Sequence, residues 1–466
     1  MVASIPLAIR PESIDFSGSR VSSVYNASVK PSASTMQCSW LALAASLLIS
    51  FGMWHWASAI FLPANAVAAQ AANRPIGNNS DLYPRWLGAR AALLYRRNPY
   101  SNEVTREIQT GFYGRPLDQQ KPGDPAAQES FVYPLYVVFL LAPTIGLPFH
   151  AVQSVFRWLL LFGLAGSVPL WMYAIGFRPR LLFVLSGIVL TLNTYPAILE
   201  FHMQNLAGLV IFLLAGAAAL LACNYQLLSG FTLALATIRP EVSWLIIACF
   251  LLWAVADYAK RKRVIWSFAG TMLLLILAAE ALLPHWIGQF FTAVRGYPAY
   301  GSDPNIFQIF LPSWLAKPAA AVLVGVVFVL WWRWRRATPG TAEFGWLLAW
   351  SAAVTLAILP KLAAYNQPLL IPALLMLLAE PQTRSGLLPR ALRKGAFACQ
   401  IWQWTVALAL SLCSLVIPPV RLLPAAQWPL LTFLALPPIT LLAVALRTFS
   451  TREVGRQATT AGTLAH

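Results

Sequence analysis

Asp81 stands in the run Asn-Asn-Ser-Asp-Leu-Tyr-Pro-Arg-Trp, within a stretch from Pro63 to about Ser130 that carries six of the chain's sixteen acidic residues. A lone carboxylate before a short amphipathic segment has two uses. As a general base it takes the proton of a sugar hydroxyl at a membrane-facing cleft, an effect that typically contributes about 10²–10⁴-fold in rate. As a cap it stabilises the dipole of the helix that Pro84 opens. Spacing weighs the two evenly. Leu87, Arg90, Ala91 and Leu94 fall on one face of that helix, and Asn98-Pro99 is expected to end it.

Arg239 lies between two apolar arms, beside Pro240 and Glu241. A cation within a membrane span costs about 2.5–3.5 kcal/mol, so such a residue pairs or faces a polar cavity. Pairing with Glu241 or snorkelling to the interface is the plain arrangement. The sharper one is a phosphate ligand, matched by the guanidinium fork. Glu200, His202, Gln204 and Asn205 form another polar knot, able to hold a sugar or a cation and equally readable as a solvated loop end. Lys361, Tyr365, Asn366 and Gln367 share a turn where the lysine would neutralise a phosphate. His285, Arg295, Tyr297, Tyr300 and Asp303 fall in a loop over 284–312 that suits carbohydrate stacking and ordinary interfacial anchoring alike.

Some chemistries drop out. The five cysteines make no C-x-x-C pair and no metal-ligand spacing, so no disulfide framework or metal site is implied. No Gly-rich phosphate loop is present, and no cofactor is expected. The net charge of +17 suggests nucleic acid at first sight. The basic residues, however, sit in short clusters between apolar spans, where the positive-inside rule accounts for them.

The elements that hold these residues are membrane helices. With 58% hydrophobic and 11% charged residues the chain is far from the soluble average of about 25% charged. The first apolar segment, about Trp40 to Leu62, is long enough at about 1.5 Å per residue to cross a ~30 Å hydrocarbon core. Ala-Asn-Ala and Ala-Val-Ala-Ala follow it and resemble a signal-peptidase site, but the long polar lead favours an uncleaved anchor. Further spans are expected over about 152–175, 181–197, 206–222, 226–238, 242–257, 264–283, 314–332, 344–360, 366–380, 398–416 and 428–446. The Pro-cut segment 133–148 is read as a helix in or dipping into the outer leaflet, and 101–130 as irregular structure capping an external cavity. Placing the basic clusters inside makes both termini cytoplasmic and the loop with Asp81 external.

The expected fold is therefore an all-α polytopic membrane protein of about 11–12 transmembrane helices, with amphipathic helices in the first external loop. Its expected divisions are a polar tail (1–37), a main membrane region (38–380, with external loop 63–150), C-terminal helices (381–446) and a cytoplasmic tail (447–466).

Asp81-Leu-Tyr, the Trp86-Leu-Gly-Ala-Arg-Ala-Ala-Leu-Leu helix, Asn98-Pro99-Tyr100, Tyr133-Pro134-Leu135, the Gln204-Asn205 turn, Ile238-Arg239-Pro240-Glu241 and Tyr365-Asn366-Gln367 occur in an order that resembles glycosyltransferase family 87 of the GT-C superfamily, over roughly residues 40–380. The resemblance implies a GT-C-type bundle. It implies a polyprenyl-phosphate sugar donor, commonly mannose, inverting transfer on the external face to a glycolipid or glycan, and an aspartate base that maps onto Asp81. Arg239 and Lys361 are then the candidate ligands of the donor phosphate. Tyr83, Arg85, Glu200, His202, Gln204, Tyr365 and Asn366 are the candidate substrate contacts. The Lys-Pro usual at the fifth-span turn is Arg239-Pro240 here, the aspartate usual after the late Tyr is Asn366, and the small residue usual before Asn-Pro-Tyr is Arg97. A plasma-membrane enzyme results. The competing reading is a lipid-linked-sugar flippase or small-solute transporter, which places its working charges near mid-membrane. A noncatalytic assembly scaffold would tolerate Asp81→Ala.

Overall fold

A computed structural model describes residues 33–71, 78, 80–118, 124, 129–297, 305–359, 363–379 and 387–448. Every regular element among them is helical. Five helices are long and apolar enough to cross a membrane: 37–68, 149–174, 258–282, 314–333 and 387–413. A sixth results if Leu181–Leu192 and Tyr195–Met203, bent by 61°, count as one span. Six shorter apolar helices of 10–17 residues accompany them. The long helices expose their apolar sides: Leu273, Leu274 and Leu277 on one and Val322 and Val329 on another stand largely bare. Water penalises such surfaces and lipid does not, so the chain is built for a bilayer.

The first span is α1 (Ala33–His55), a π-helical turn (Trp56–Phe61) and α2 (Leu62–Ala71). The turn's widened register sends the Trp56 indole to the Ala426 carbonyl at 3.1 Å. The segment before the second span carries α3 (Tyr83–Leu93), α4 (Asn102–Tyr113) and the single-turn α5 (Val137–Leu141). It leads to α6 (Phe149–Ala174), then α7 (Leu181–Leu192) and α8 (Tyr195–Met203) on either side of the bend. Next come α9 (Ala207–Ala222), α10 (Gln226–Leu235), α11 (Pro240–Val255), α12 (Tyr258–Leu282) and α13 (Trp286–Arg295). The C-terminal part holds α14 (Ile306–Phe310), α15 (Ser313–Arg333), α16 (Ala342–Ile358), a 3₁₀ stretch (Ala364–Leu370), α17 (Ile371–Ala379), α18 (Leu387–Cys413), α19 (Pro419–Leu422) and α20 (Leu436–Thr448).

The core is a packed set of helix pairs, α6 with α9, α10 with α12, and α11 with α16, which in turn supports α17. A second, smaller core joins α1 to α7 and α18 around Met53, Trp56, Ile60 and Leu410.

Three local expectations change. Helix α3 buries Arg85, Trp86, Gly88, Ala89 and Ala92; of the face read as Leu87, Arg90, Ala91 and Leu94 only Ala91 is buried. Its small residues let it approach the loop behind so closely that a Cβ on Gly88 would stand 2.2 Å from the Phe131 ring. Within 101–130, read as irregular, Asn102–Tyr113 is a helix; Ser101 Oγ accepts its Val104 N–H at 3.3 Å, and Val104, Ile108 and Phe112 bury one stripe. Segment 133–148, expected not to cross, holds a helix, α5, of only five residues, and Trp86 Nε1 donates to the Thr144 carbonyl just beyond it at 3.3 Å. The expected loop over 284–312 contains the ten-residue helix α13, and Tyr300 and Asp303 lie outside the described residues.

Candidate functional site

The site forms where the start of α3 meets the turn between α8 and α9. Thr194 opens α8, its Oγ1 accepting the Ala197 N–H at 3.4 Å with Pro196 in the first turn. Gln204 closes it in the left-handed region, at φ 47°. That conformation costs a non-glycine residue about 1–3 kcal/mol and persists only where its surroundings impose it. Here they do. Gln204 is buried; its Nε2 donates to the carbonyls of Phe201 (2.7 Å) and His202 (2.6 Å), and its Oε1 accepts from Ser80 Oγ (2.7 Å).

The Asp81 backbone N–H donates to the Met203 carbonyl at 2.7 Å, so the loop before α3 is docked on this turn through consecutive residues. The Asp81 carboxylate does not cap α3. Its Oδ2 accepts from the Asn205 amide, and among the described residues its Oδ1 meets no donor. Asn205 Oδ1 in turn accepts from Arg239 Nη1 and from the Ala207 N–H at 2.9 Å. Arg239 extends the chain, donating from Nε to Glu241 at 2.9 Å, and its guanidinium lies 5.6 Å from the centre of the Tyr365 ring. Asp81, Asn205, Arg239, Glu241 and Tyr365, from four separate stretches, are thus one connected array. Asp81 and Glu241 stay partly exposed while Asn205 and Arg239 are buried, which gives the array a mouth and a floor.

Glu200 is part of the floor. It was read equally as a solvated loop end, yet it is fully buried in α8, and neither carboxyl oxygen has a hydrogen-bond partner of good geometry. Its nearest charge is Arg239, and its carboxyl lies over the start of α9. A Cβ on Gly208 would stand 1.8 Å from Glu200 Oε1, so any larger residue there requires the buried carboxyl to move. Gly208→Ala is therefore expected to cost about 1–3 kcal/mol through overpacking. Gly216→Ala on the same helix, where the added carbon meets Thr232 Cγ2 at 3.9 Å, is the control. Thermal unfolding in detergent should fall for the first and hold for the second; equal midpoints would contradict the packing described.

Arg85 sits just behind Asp81. It is buried, donates from Nη1 to the Asp81 carbonyl, and lies 3.9 Å over the Tyr133 ring. It thus positions the Asp81 backbone and does not reach the mouth. Tyr83 faces the other way, toward α4, wedged between Trp86 and Phe149 at ring distances of 5.8 and 4.8 Å. Burial pushes its phenol up, so it stays a donor. His202 is exposed and apart from the array. Asn366 is buried next to Tyr365, its Oδ1 unpartnered. Lys361 lies outside the described residues.

Beyond Asn366 a cavity of about 170 Å³ opens between α7, α17 and α18. Leu190, Ile371, Leu374, Leu378, Phe397 and Trp404 supply most of its apolar wall. Gln367 and Gln400 supply amide oxygens that have no partner among the described residues. No group of three or more His, Cys, Asp or Glu side chains gathers as a metal site among the described residues.

The sequence alone did not single out Ser80, Glu241 as more than a neighbour of Arg239, or Gly208. The signal for Gly208 was available only as spacing: it stands eight residues after Glu200, across a turn whose shape the sequence does not state. No family model matches the chain, and no curated protein or solved structure matches it either.

Proposed function

We propose that this chain is an integral-membrane hexosyltransferase that moves a sugar, mannose in the first instance, from a polyprenyl-phosphate donor to a glycolipid or glycan, with inversion, as the resemblance to glycosyltransferase family 87 implies. The observation that carries the reading is the Asp81–Asn205–Arg239 relay, which ties a half-exposed carboxylate to a buried guanidinium through a single amide. Asp81, with Oδ1 open, accepts the acceptor hydroxyl proton as that oxygen attacks the anomeric carbon. The sugar–phosphate bond breaks on the opposite face, and the electron pair leaves with the phosphate. Arg239, assisted in this reading by Lys361, neutralises that phosphate. The leaving group is already good, so no general acid is required.

The apolar cavity next to Asn366 is suited to the first isoprene units of the donor. If the six shorter apolar helices also count as spans, the total is eleven or twelve, as in a GT-C-type bundle. Helices of 10–17 residues rise only about 15–26 Å, so several would end at a water-filled cavity and not at the far surface. Under the positive-inside rule the termini are cytoplasmic and the mouth with Asp81 is external, in a plasma membrane.

The test is purified protein supplied with radiolabelled polyprenyl-phosphate mannose and a membrane extract as acceptor. Label should leave the donor and appear in a product of inverted anomeric configuration; no transfer from mannosyl or glucosyl donors would overturn the reading. Leu374→Trp, which fills the apolar cavity, should raise KM at least about tenfold for a long-chain donor and little for a donor of two isoprene units. Equal KM values would remove the chain from that cavity. A transporter reading has one observation in its favour: the 61° break between α7 and α8, with Glu200 buried just past it, resembles the broken helices on which transporters place their sites.

A further inference from the structure

The array around Asp81 and Arg239 leaves a second, larger hollow unused. Between α3 and α4 lies an open cleft of about 630 Å³, lined by Tyr83, Asn102, Glu103, Arg106, Glu107 and Thr110. Its wall is chemically unlike the membrane cavity. One aromatic ring, one amide, one hydroxyl, two carboxylates and a guanidinium face the same space, with Leu87 the main aliphatic side chain among them. Arg97 donates to both oxygens of Glu107, at 2.7 and 3.2 Å, and lies 3.3 Å from the largely exposed Glu103. Arg97 and Arg106 offset Glu103 and Glu107, and Arg90, which also acts on Tyr83, lies over the Trp86 ring, so the wall itself carries little net charge. A charged ligand therefore gains little net attraction, whereas planar, preoriented acceptors and donors suit a ring of hydroxyls.

Tyr83 fixes the position of the cleft. Its ring is locked by an edge contact to Phe149 at 4.8 Å and a tilted contact to Trp86 at 5.8 Å, so it offers a rigid wall at low entropic cost. Its backbone N–H donates to the Ser80 carbonyl at 3.0 Å, in the turn that contains Asp81. The wall of the cleft and the open carboxylate oxygen therefore belong to one rigid turn.

We infer that the α3/α4 cleft binds a neutral saccharide of about two rings, a size in keeping with a pocket of a few hundred Å³. That the bound saccharide is the acceptor rests on the transferase reading; that the cleft binds saccharide does not.

The experiment is saturation-transfer NMR of the full chain in lipid nanodiscs with mannobiose and, separately, maltose. Thr110→Trp places an indole in the cleft from an exposed helix position, so the fold is kept. At least one of the two sugars should bind saturably to the wild type and at least about tenfold more weakly to Thr110→Trp, with Gly216→Ala, on α9 and outside both the cleft and the Asp81 array, binding as the wild type does. No saturable binding of either sugar, or binding indifferent to Thr110→Trp, would overturn the inference. Binding that obeys the cleft variant in a protein that transfers no sugar leaves the saccharide site standing and removes the transferase reading. Transfer whose acceptor KM ignores Thr110→Trp does the reverse.

Discussion

Asp81→Asn should abolish sugar transfer by at least about a hundredfold in kcat while leaving the protein folded and donor binding within a few-fold of the wild type. The substitution is nearly isosteric, and the Asp81 backbone N–H that docks the loop on Met203 is untouched. What changes is the proton acceptor. An amide in place of the carboxylate can still accept from Asn205, but its other arm carries N–H groups where Oδ1 was open. A structural role predicts the opposite pattern, a lowered unfolding midpoint with the residual rate tracking the folded fraction. Measuring kcat, donor KM and thermal unfolding on the same preparation separates the two.

Arg239→Ala should weaken the donor at least about thirtyfold, read as KM or as inhibition by polyprenyl phosphate. Truncating one partner of a buried, hydrogen-bonded charge pair costs about 2–5 kcal/mol, and each 1.4 kcal/mol is tenfold. Arg239→Lys should fall between, because the ammonium keeps the charge but cannot reach Asn205 and Glu241 from one rigid fork. Glu241→Gln should shift affinity the other way by a few-fold. The Glu241 carboxylate occupies Nε at 2.9 Å, on the guanidinium that the phosphate must approach, and an amide competes with an anion less well. Equal donor KM across the three variants would take Arg239 out of the phosphate site.

The sequence made most of the helices legible and little of their meeting points. Long apolar runs such as 258–282 and 314–333 declare themselves through composition, because a bilayer demands uninterrupted apolar length. Helix α4 was legible too, in the Val104, Ile108 and Phe112 spacing, but three prolines at 116, 122 and 125 drew 101–130 toward irregular structure. The expected face of α3 holds only at Ala91, for a physical reason: Gly88, Ala89, Ala91 and Ala92 are small enough to allow close approach and are buried with Arg85 and Trp86, while Leu87 and Leu94 stay partly or fully exposed.

At the site, Asp81 and Arg239 were recognisable as a carboxylate in a polar loop and a cation between apolar arms. Their connection through Asn205 was not, since it spans residues 81, 205 and 239 and depends on the left-handed turn at Gln204. The same turn hides Glu200 in the core and leaves His202 in the open, although only one residue separates them. Two residues so close on a helix point about 200° apart, so a cluster in sequence need not be a cluster in space.

The central claim is that this chain breaks the sugar–phosphate bond of a lipid donor and does not merely move the lipid. Proteoliposomes containing the purified protein alone, a donor doubly labelled in sugar and lipid phosphate, and a saccharide acceptor test it directly. The two labels should part, with free polyprenyl phosphate accumulating in step with glycosylated acceptor. Both labels remaining on one molecule while it crosses between leaflets would contradict the account and leave a flippase in its place.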